Sequence, residues 1–277
     1  MDSNISKHLE MCKTIRKDIV TMIHHAKSGH PGGSLSSVEL VVGLYFEVMK
    51  HNPEQPEWED RDRFVLSKGH VAPVVYSALA RSGYYSVDVL NSLRKFGSIL
   101  QGHPNMHKVP GMDSSGGSLG QGLSIANGMA MAAKMKNKNY RVYCLLGDGE
   151  LQEGQIWEAV MTTAHHKLDN VCAIVDYNRV QLDGTVDAIK GLDPLTDKWK
   201  AFNWNVIEID GHNIEEVLAA YKKAEETKGM PTVIIANTIK GKGVSFMEGI
   251  SDWHGKAPNK EELEAALAEI ESRGVQK

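Results

Sequence analysis

Apolar and polar positions along the chain follow two periods, which predict helices and strands in alternation. From Ile5 to Ala26, apolar residues recur at steps of three and four, the pattern of an amphipathic helix. A second helix is predicted from Ser36 to about Lys50, because Ser36 and Glu39 have the spacing of a capping box. Further helices are predicted at Glu153–His165, Ile214–Glu226 and Lys260–Ser272.

Short apolar runs rich in β-branched residues lie between the helices. They are Arg63–Leu66, Val142–Leu146, Val171–Val175, Val206–Ile209 and Thr232–Ala236. Because the runs are continuously apolar, we expect strands covered on both faces, as in a parallel sheet with crossover helices. The predicted fold class for residues 1–277 is one α/β domain, a doubly wound, mostly parallel sheet with helices on both faces.

Composition narrows the class of protein. The 277 residues carry a formal net charge of −4 and no block of Lys or Arg, which argues against a nucleic-acid or anionic-membrane partner. No apolar run reaches the roughly 20 residues of a membrane span, and the first residues are polar and acidic, unlike a signal peptide. Cys12, Cys144 and Cys172 lie outside any C-x-x-C motif, which predicts buried, reduced thiols. We expect a soluble, cytoplasmic protein.

The segment Leu145–Glu150, an apolar strand that runs into a Gly-Asp-Gly turn, is the clearest candidate for chemistry. Asp148 then lies beyond the carboxyl end of a strand, where ligands bind in parallel sheets. The 28 residues between Gly149 and Asn178 suffice for a crossover helix and another strand, which can bring Asn178 beside Asp148. With the carbonyl oxygen of Val180, these side chains form a hard oxygen site for Mg²⁺ or Ca²⁺ that a diphosphate completes. The alternative is that Gly-Asp-Gly is only a tight turn.

The candidates for chemistry among the twelve histidines are His30, His70, His103 and His254, each beside a glycine in a segment predicted as a loop or strand end. Glycine allows close approach of the backbone to a ligand, and loops often carry catalytic groups. The others are expected to be surface or packing residues: His8, His24, His25, His51, His107, His165, His166 and His212.

Several blocks of the sequence resemble the transketolase family. Gly147–Gly149 with Asn178 matches the thiamine diphosphate-binding signature. The family's other blocks occur in order at Ser28–Gly32, Arg63–His70, Gly102–Pro104, Gly117–Gly122, Gly147–Glu150 and Trp253–Gly255. The resemblance covers nearly the whole chain. It implies the thiamine diphosphate-binding fold, sugar phosphate substrates, and thiamine diphosphate with Mg²⁺ as cofactors, Ca²⁺ or Mn²⁺ being able to replace the metal.

The resemblance also implies roles for the four histidines. His30 and His103 are expected to contact oxygen atoms of the sugar. His70 and His254 are expected to lie against the cofactor diphosphate, where His254 would also assist proton transfer, since a histidine with a pKa near neutrality exchanges protons readily.

Further cofactor contacts follow from the same resemblance, at Lys68, Gly117, Leu119, Gly149, Glu150, Glu153, Asn178 and Lys240. Gly117 and Leu119 are expected on the aminopyrimidine side, and the two lysines would offset diphosphate charge. Glu153 resembles a glutamate in the acidic passage between paired cofactors. The alternatives remain a glycine-assisted helix start, solvated lysines and a first-turn helix acid.

One catalytic group of the family has no counterpart here. Thiamine catalysis needs a glutamate that hydrogen-bonds the aminopyrimidine ring, and in transketolase it belongs to a downstream pyrimidine-binding domain. The chain is either a piece of a longer protein or one subunit of a split enzyme. The helix at Lys260–Ser272 followed by Gly274 favours the split enzyme. Its partner is expected to be a C-terminal, pyrimidine-binding subunit, in a tetramer with two copies of each chain.

Three other functions are weighed. A related thiamine diphosphate enzyme with another donor, such as a 1-deoxyxylulose-phosphate synthase-like protein, fits Gly117–Gly122 less well than transketolase. A non-catalytic thiamine diphosphate-binding module would not require the sugar-contacting His30 and His103. A nicotinamide-binding protein is disfavoured because no G-x-G-x-x-G follows an early strand.

Overall fold

A five-stranded parallel sheet lies at the centre of the computed structural model, which describes residues 3–272. Within that part of the chain the strand order is β1-β2-β3-β5-β4, and every pair is parallel. The strands are β1 (Arg63–Leu66), β2 (Val142–Gly147), β3 (Val171–Tyr177), β4 (Asn205–Asp210) and β5 (Thr232–Asn237). The predicted parallel sheet is confirmed.

Helices cover both faces of this sheet. They are α1 (Ser3–Ala26), α2 (Pro31–Ser36), α3 (Val38–Gly43), α4 (Ala72–Ser82), α5 (Gly122–Met135), α6 (Gly154–His165), α7 (Val186–Lys190), α8 (Leu195–Ala201), α9 (Ile214–Glu226) and α10 (Lys260–Ser272). Ile15 of α1 and Tyr221 of α9 belong to a core on one face, and Leu123 of α5 and Trp199 of α8 to a core on the other. The doubly wound α/β fold is therefore confirmed.

The continuous apolar run of β2 follows from this double coverage. Tyr143 and Leu145 pack into the first core, whereas Val142, Cys144 and Leu146 pack into the second. Neighbouring strand residues point to opposite faces, so a strand buried on both sides is apolar at every position.

The predicted second helix is wrong in its start and its cap. The helical segment begins at Pro31, and Ser36 is the last residue of α2 instead of an N-cap. Its hydroxyl donates to a carboxylate oxygen of Asp176 at 2.6 Å, and the Glu39 carboxylate accepts from Arg16 Nη2 at 2.6 Å. Both side chains have buried tertiary partners, which replace the local reciprocal bonds of a capping box.

Three further expectations concern the whole chain. Cys12, Cys144 and Cys172 are buried free thiols, as predicted. Among residues 3–272, no helix combines the length and apolar character that crossing a membrane requires. Gly274, invoked for the end of the chain, lies outside the described residues.

Candidate functional site

A cavity of about 290 Å³ opens beyond the carboxyl ends of β2 and β3. Most of the residues predicted for the site line it, namely His30, Lys68, His70, Gly117, Leu119, Asp148, Gly149, Glu150, Asn178, Val180, Lys240 and His254. The cavity thus lies beyond the carboxyl ends of parallel strands, which is where ligands bind in open α/β sheets.

The predicted metal ligands are brought together by the pairing of β2 with β3, in which Gly147 lies opposite Asp176. One oxygen of the Asp148 carboxylate accepts from the backbone N–H of Gly149 at 2.7 Å, and the other from the N–H of Arg179. The loop after β3 is therefore fastened to Asp148. Within residues 3–272, no three His, Cys, Asp or Glu side chains are grouped to hold a metal.

Asp148 and Lys240 are both buried in this cavity without an ion-pair partner among the described residues. Asp148 is 3% exposed and Lys240 is 2% exposed. Burial, with the nearby charge of Asp176, raises the pKa of the Asp148 carboxyl to about 6. Burial also lowers the pKa of the Lys240 ammonium to about 8. Since an unpaired buried charge is costly, each group fits a ligand of opposite sign, a metal cation for the carboxylate and a diphosphate for the ammonium.

The ammonium of Lys68, by contrast, is neutralised within the protein. It donates to the Asp176 carboxylate and to the hydroxyl of Ser37 at 2.8 Å. Burial alone would raise the pKa of the Asp176 carboxyl, but the ammonium and its other donors hold that pKa below its ordinary value. Lys68 thus lines the cavity with a charge that is already paired, and its contact with the cofactor stays a prediction.

Asp176 is the main feature that the sequence did not reveal. Its carboxylate accepts hydrogen bonds from Ser36, Ser37, Lys68, Asn178 and Thr238. The bond from Asn178 Nδ2 is 2.9 Å long, and the amide oxygen of Asn178 accepts from the backbone N–H of Val180 at 3.1 Å. The sequence signal that could have revealed this role is an acidic residue at the end of an apolar strand, because a buried carboxylate requires hydrogen-bond donors.

Three histidine rings form a cluster at the cavity. The ring centroid of His30 lies 5.2 Å from that of His70 and 5.4 Å from that of His254, and the last two lie 5.1 Å apart. Burial, followed by the charges of nearby cations, lowers the pKa of His30 to about 4 and that of His254 to about 3. Burial likewise holds the pKa of His70 well below its usual value. At neutral pH these rings are uncharged, which differs from the near-neutral pKa expected of His254.

His103 and Glu153 do not line the cavity, although both were predicted for the site. His103 is exposed, and its ring lies beside Gly117, where an added Cβ would meet the imidazole at 3.5 Å. Glu153 is exposed at the start of α6, beside Gly120. His103 is therefore placed at the rim, and the role of Glu153 between paired cofactors stays a prediction.

Glu150 holds the loop at Gly120 in place against the end of β2. Its buried carboxylate accepts from the N–H of Gly120 at 2.8 Å, from the N–H of Gly147 at 3.1 Å and from the hydroxyl of Ser67. The Glu150 side chain thus connects three segments of the chain, at Ser67, Gly120 and Gly147. Sequence reasoning placed Glu150 at the cofactor but missed this role, since the spacing of residues in the chain carries no sign of it.

Comparison with known proteins agrees with this geometry. The chain matches the family model described as transketolase, thiamine diphosphate binding domain, over residues 7–271. It is 46% identical over 261 residues to the 6-deoxy-6-sulfo-D-fructose transketolase subunit SqwG of Clostridium sp. (strain MSTE9), covering 94% of this chain and 95% of that protein. It is 44% identical to an apulose-4-phosphate transketolase subunit of Phocaeicola vulgatus, covering 93% of this chain and 92% of that protein.

A solved structure supports the same relationship. The transketolase from Leishmania mexicana is similar with a TM-score of 0.91 and 32% identity, covering 95% of this chain and 41% of that one. The chain spans less than half of that transketolase, whereas it spans nearly all of the two relatives named as subunits.

Fold and site together define a thiamine diphosphate-binding domain. The chain belongs to the transketolase family and corresponds to its N-terminal, diphosphate-binding part. The resemblance predicted from the sequence blocks is confirmed.

Proposed function

We propose that this chain is the N-terminal subunit of a two-chain transketolase, which moves a two-carbon ketol unit from a ketose phosphate to an aldose phosphate with thiamine diphosphate and Mg²⁺. The observation that carries the proposal is the pair of buried, opposite and unpaired charges, Asp148 and Lys240, at one cavity. A metal diphosphate satisfies both groups at once. The relatives named as transketolase subunits support the two-chain form.

Different residues of this chain would bind the metal and the diphosphate. Asp148, Asn178 and the Val180 carbonyl would hold the metal, and Lys240 with His254 would contact the diphosphate. Thiamine diphosphate supplies the carbanion chemistry of ketol transfer when it is bound. The uncharged ring of His30 would hydrogen-bond a sugar oxygen beside the cofactor.

A second chain supplies what this cavity lacks. The carboxylates that line the cavity, Asp148 and Glu150, already accept backbone N–H groups. Asp148 is proposed to hold the metal and Glu150 accepts from Ser67, Gly120 and Gly147, so we infer that the ring glutamate comes from a pyrimidine-binding C-terminal subunit. Leu119 and Leu182, 38% and 62% exposed at the cavity, offer apolar surface that such a partner would cover. The assembly proposed contains two copies of each chain.

The donor sugar is proposed to be a ketose phosphate. The relatives' names specify 6-deoxy-6-sulfo-D-fructose in one case and apulose 4-phosphate in another. Both are ketoses that carry an anionic group, so a sulfonated ketose is the second candidate donor.

Reconstitution tests the proposal. The chain is purified alone and with a pyrimidine-domain subunit and saturated with thiamine diphosphate and Mg²⁺. It is assayed with a ketose phosphate, a sulfonated ketose or pyruvate as donor and an aldose phosphate as acceptor. We expect turnover only when both chains are present, and sedimentation should give the mass of two copies of each. Ketol transfer by the isolated chain would refute the two-chain form. Decarboxylation of pyruvate with transfer of its remaining two carbons to an aldose phosphate and release of CO₂ would instead support the synthase-like alternative.

A further inference from the structure

Arg94 contacts His30 from a loop to which no function is assigned above. Its Nη2 donates to His30 Nδ1 at 3.3 Å, and its Nη1 donates to the hydroxyl of Ser28 at 2.7 Å. The backbone N–H of Arg94 donates to the carbonyl of Leu100 at 2.7 Å. A Cβ added at Gly102 would lie 3.0 Å from the guanidinium, so that glycine leaves the room that Arg94 occupies. The guanidinium is therefore held by several contacts.

The direction of this hydrogen bond determines where the proton of His30 lies. A guanidinium has five donors and no acceptor, so Nδ1 of His30 must accept. A neutral imidazole carries one proton, which then belongs to Nε2. His30 is uncharged at neutral pH because of its burial and the cations around it.

His254 is held in the same way by a different cation. The ammonium of Lys240 lies 2.9 Å from His254 Nδ1, and an ammonium likewise has no acceptor. Two neighbouring rings, 5.4 Å apart, thus each have Nδ1 occupied by a donor and the proton on Nε2.

We propose that Arg94 is a positioning residue that fixes His30 as its Nε2–H tautomer, so that His30 donates a hydrogen bond to a sugar oxygen and does not act as a base. The use of this tautomer rests on the transketolase function proposed above. The tautomer itself is a property of this chain and can be measured without turnover.

Long-range ¹H–¹⁵N correlation spectra of the full chain, with ¹⁵N-labelled histidine, test the tautomer. His30→Gln identifies the His30 signals. We expect Nε2–H for His30 in the native chain, a shift toward Nδ1–H in Arg94→Met, and retention of Nε2–H in Arg94→Lys, which keeps a donor. His254 serves as an internal control because Lys240 holds it independently, and Lys95→Met is the matched surface variant. If His30 of the native chain carries its proton on Nδ1, the proposal is wrong, whether or not Arg94→Met folds.

Kinetics of the reconstituted two-chain enzyme give the second readout. Arg94→Met should lower kcat/KM for the donor about tenfold, the effect of losing one well-placed hydrogen bond, with thiamine diphosphate affinity unchanged and partial recovery in Arg94→Lys. Unchanged kcat/KM in Arg94→Met despite a changed tautomer would overturn the functional role. Absence of ketol transfer in the native enzyme would count against the proposed function and leave the spectroscopic result standing.

Discussion

The ammonium of Lys240 donates a 2.8 Å hydrogen bond to the carbonyl oxygen of Val180, the oxygen that the sequence predicts as a metal ligand. An ammonium and a metal ion at the same oxygen repel each other strongly in a buried site. A lysine ammonium and a bound metal would therefore compete for this carbonyl. Arrival of a metal diphosphate would turn the ammonium away from Val180 and toward the diphosphate.

Replacement of Lys240 should accordingly have opposite effects on two ligands. In Lys240→Met, we expect Mn²⁺ alone to bind about tenfold more tightly, because the competing cation is gone, and thiamine diphosphate to bind at least about tenfold more weakly. Electron paramagnetic resonance measures free Mn²⁺, and calorimetry measures the cofactor. Lys242→Met is the control. Weaker binding of both ligands would show that Lys240 supports the metal site and does not compete with it.

Asp148 should control metal-dependent binding of the cofactor. Asp148→Asn removes the one charged ligand of the predicted metal site, so thiamine diphosphate affinity with Mg²⁺ should fall by about 100-fold or more in the assembled enzyme. Calorimetry measures the affinity, and the exposed Asp197→Asn is the control. Unaltered affinity in Asp148→Asn would remove Asp148 from the metal site.

The same carboxyl should give the metal-free chain a pH-dependent stability. Its pKa is about 6 when folded and 3.8 when unperturbed, so the folded state holds the proton more tightly. The stability from this group is complete below the lower value and is lost as pH rises through the higher one, up to about 3 kcal/mol. Urea unfolding in a chelator from pH 4 to pH 8 should show this loss in the difference between the native chain and Asp148→Asn, because the buried histidines titrate alike in both proteins. Parallel curves for the two proteins would contradict the shift.

His103 should affect turnover and not cofactor binding. Because its ring lies at the rim and outside the cavity, His103→Ala should keep thiamine diphosphate affinity near that of the native enzyme while lowering kcat and kcat/KM together. Steady-state kinetics of the assembled enzyme measure the effect, with the exposed His107→Ala as the control. Loss of the cofactor from His103→Ala would place this ring with the diphosphate group.

Glu150 should be required to hold the loop at Gly120 in position. Glu150→Ala leaves the N–H groups of Gly120 and Gly147 without their buried acceptor, which should cost about 2–4 kcal/mol of unfolding free energy. Urea unfolding measures this cost. Glu150→Gln should lose less, since its amide oxygen still accepts, and the exposed Glu158→Ala should lose almost none. Equal losses in the alanine and glutamine variants would point to the charge of Glu150 and not to its acceptor geometry.

The sequence predicted those parts of the site that follow from where strands end. Asp148 and Asn178 directly follow neighbouring parallel strands, so the predicted strands and one right-handed crossover brought them together. The sequence could not predict which partner each polar side chain would choose. Ser36 and Glu39 fit a capping box by spacing, yet each bonds a residue far away in the chain. Lys68 has the same chemistry as Lys240, but tertiary contacts pair the first with Asp176 and leave the second unpaired.

The five donors of Asp176 come from segments around residues 36, 68, 178 and 238. A growing chain must therefore have been synthesised past Thr238 before this carboxylate can gather them, although β1, β2 and β3 are complete much earlier. Cofactor capture is then a late event, which cannot guide the first steps of folding.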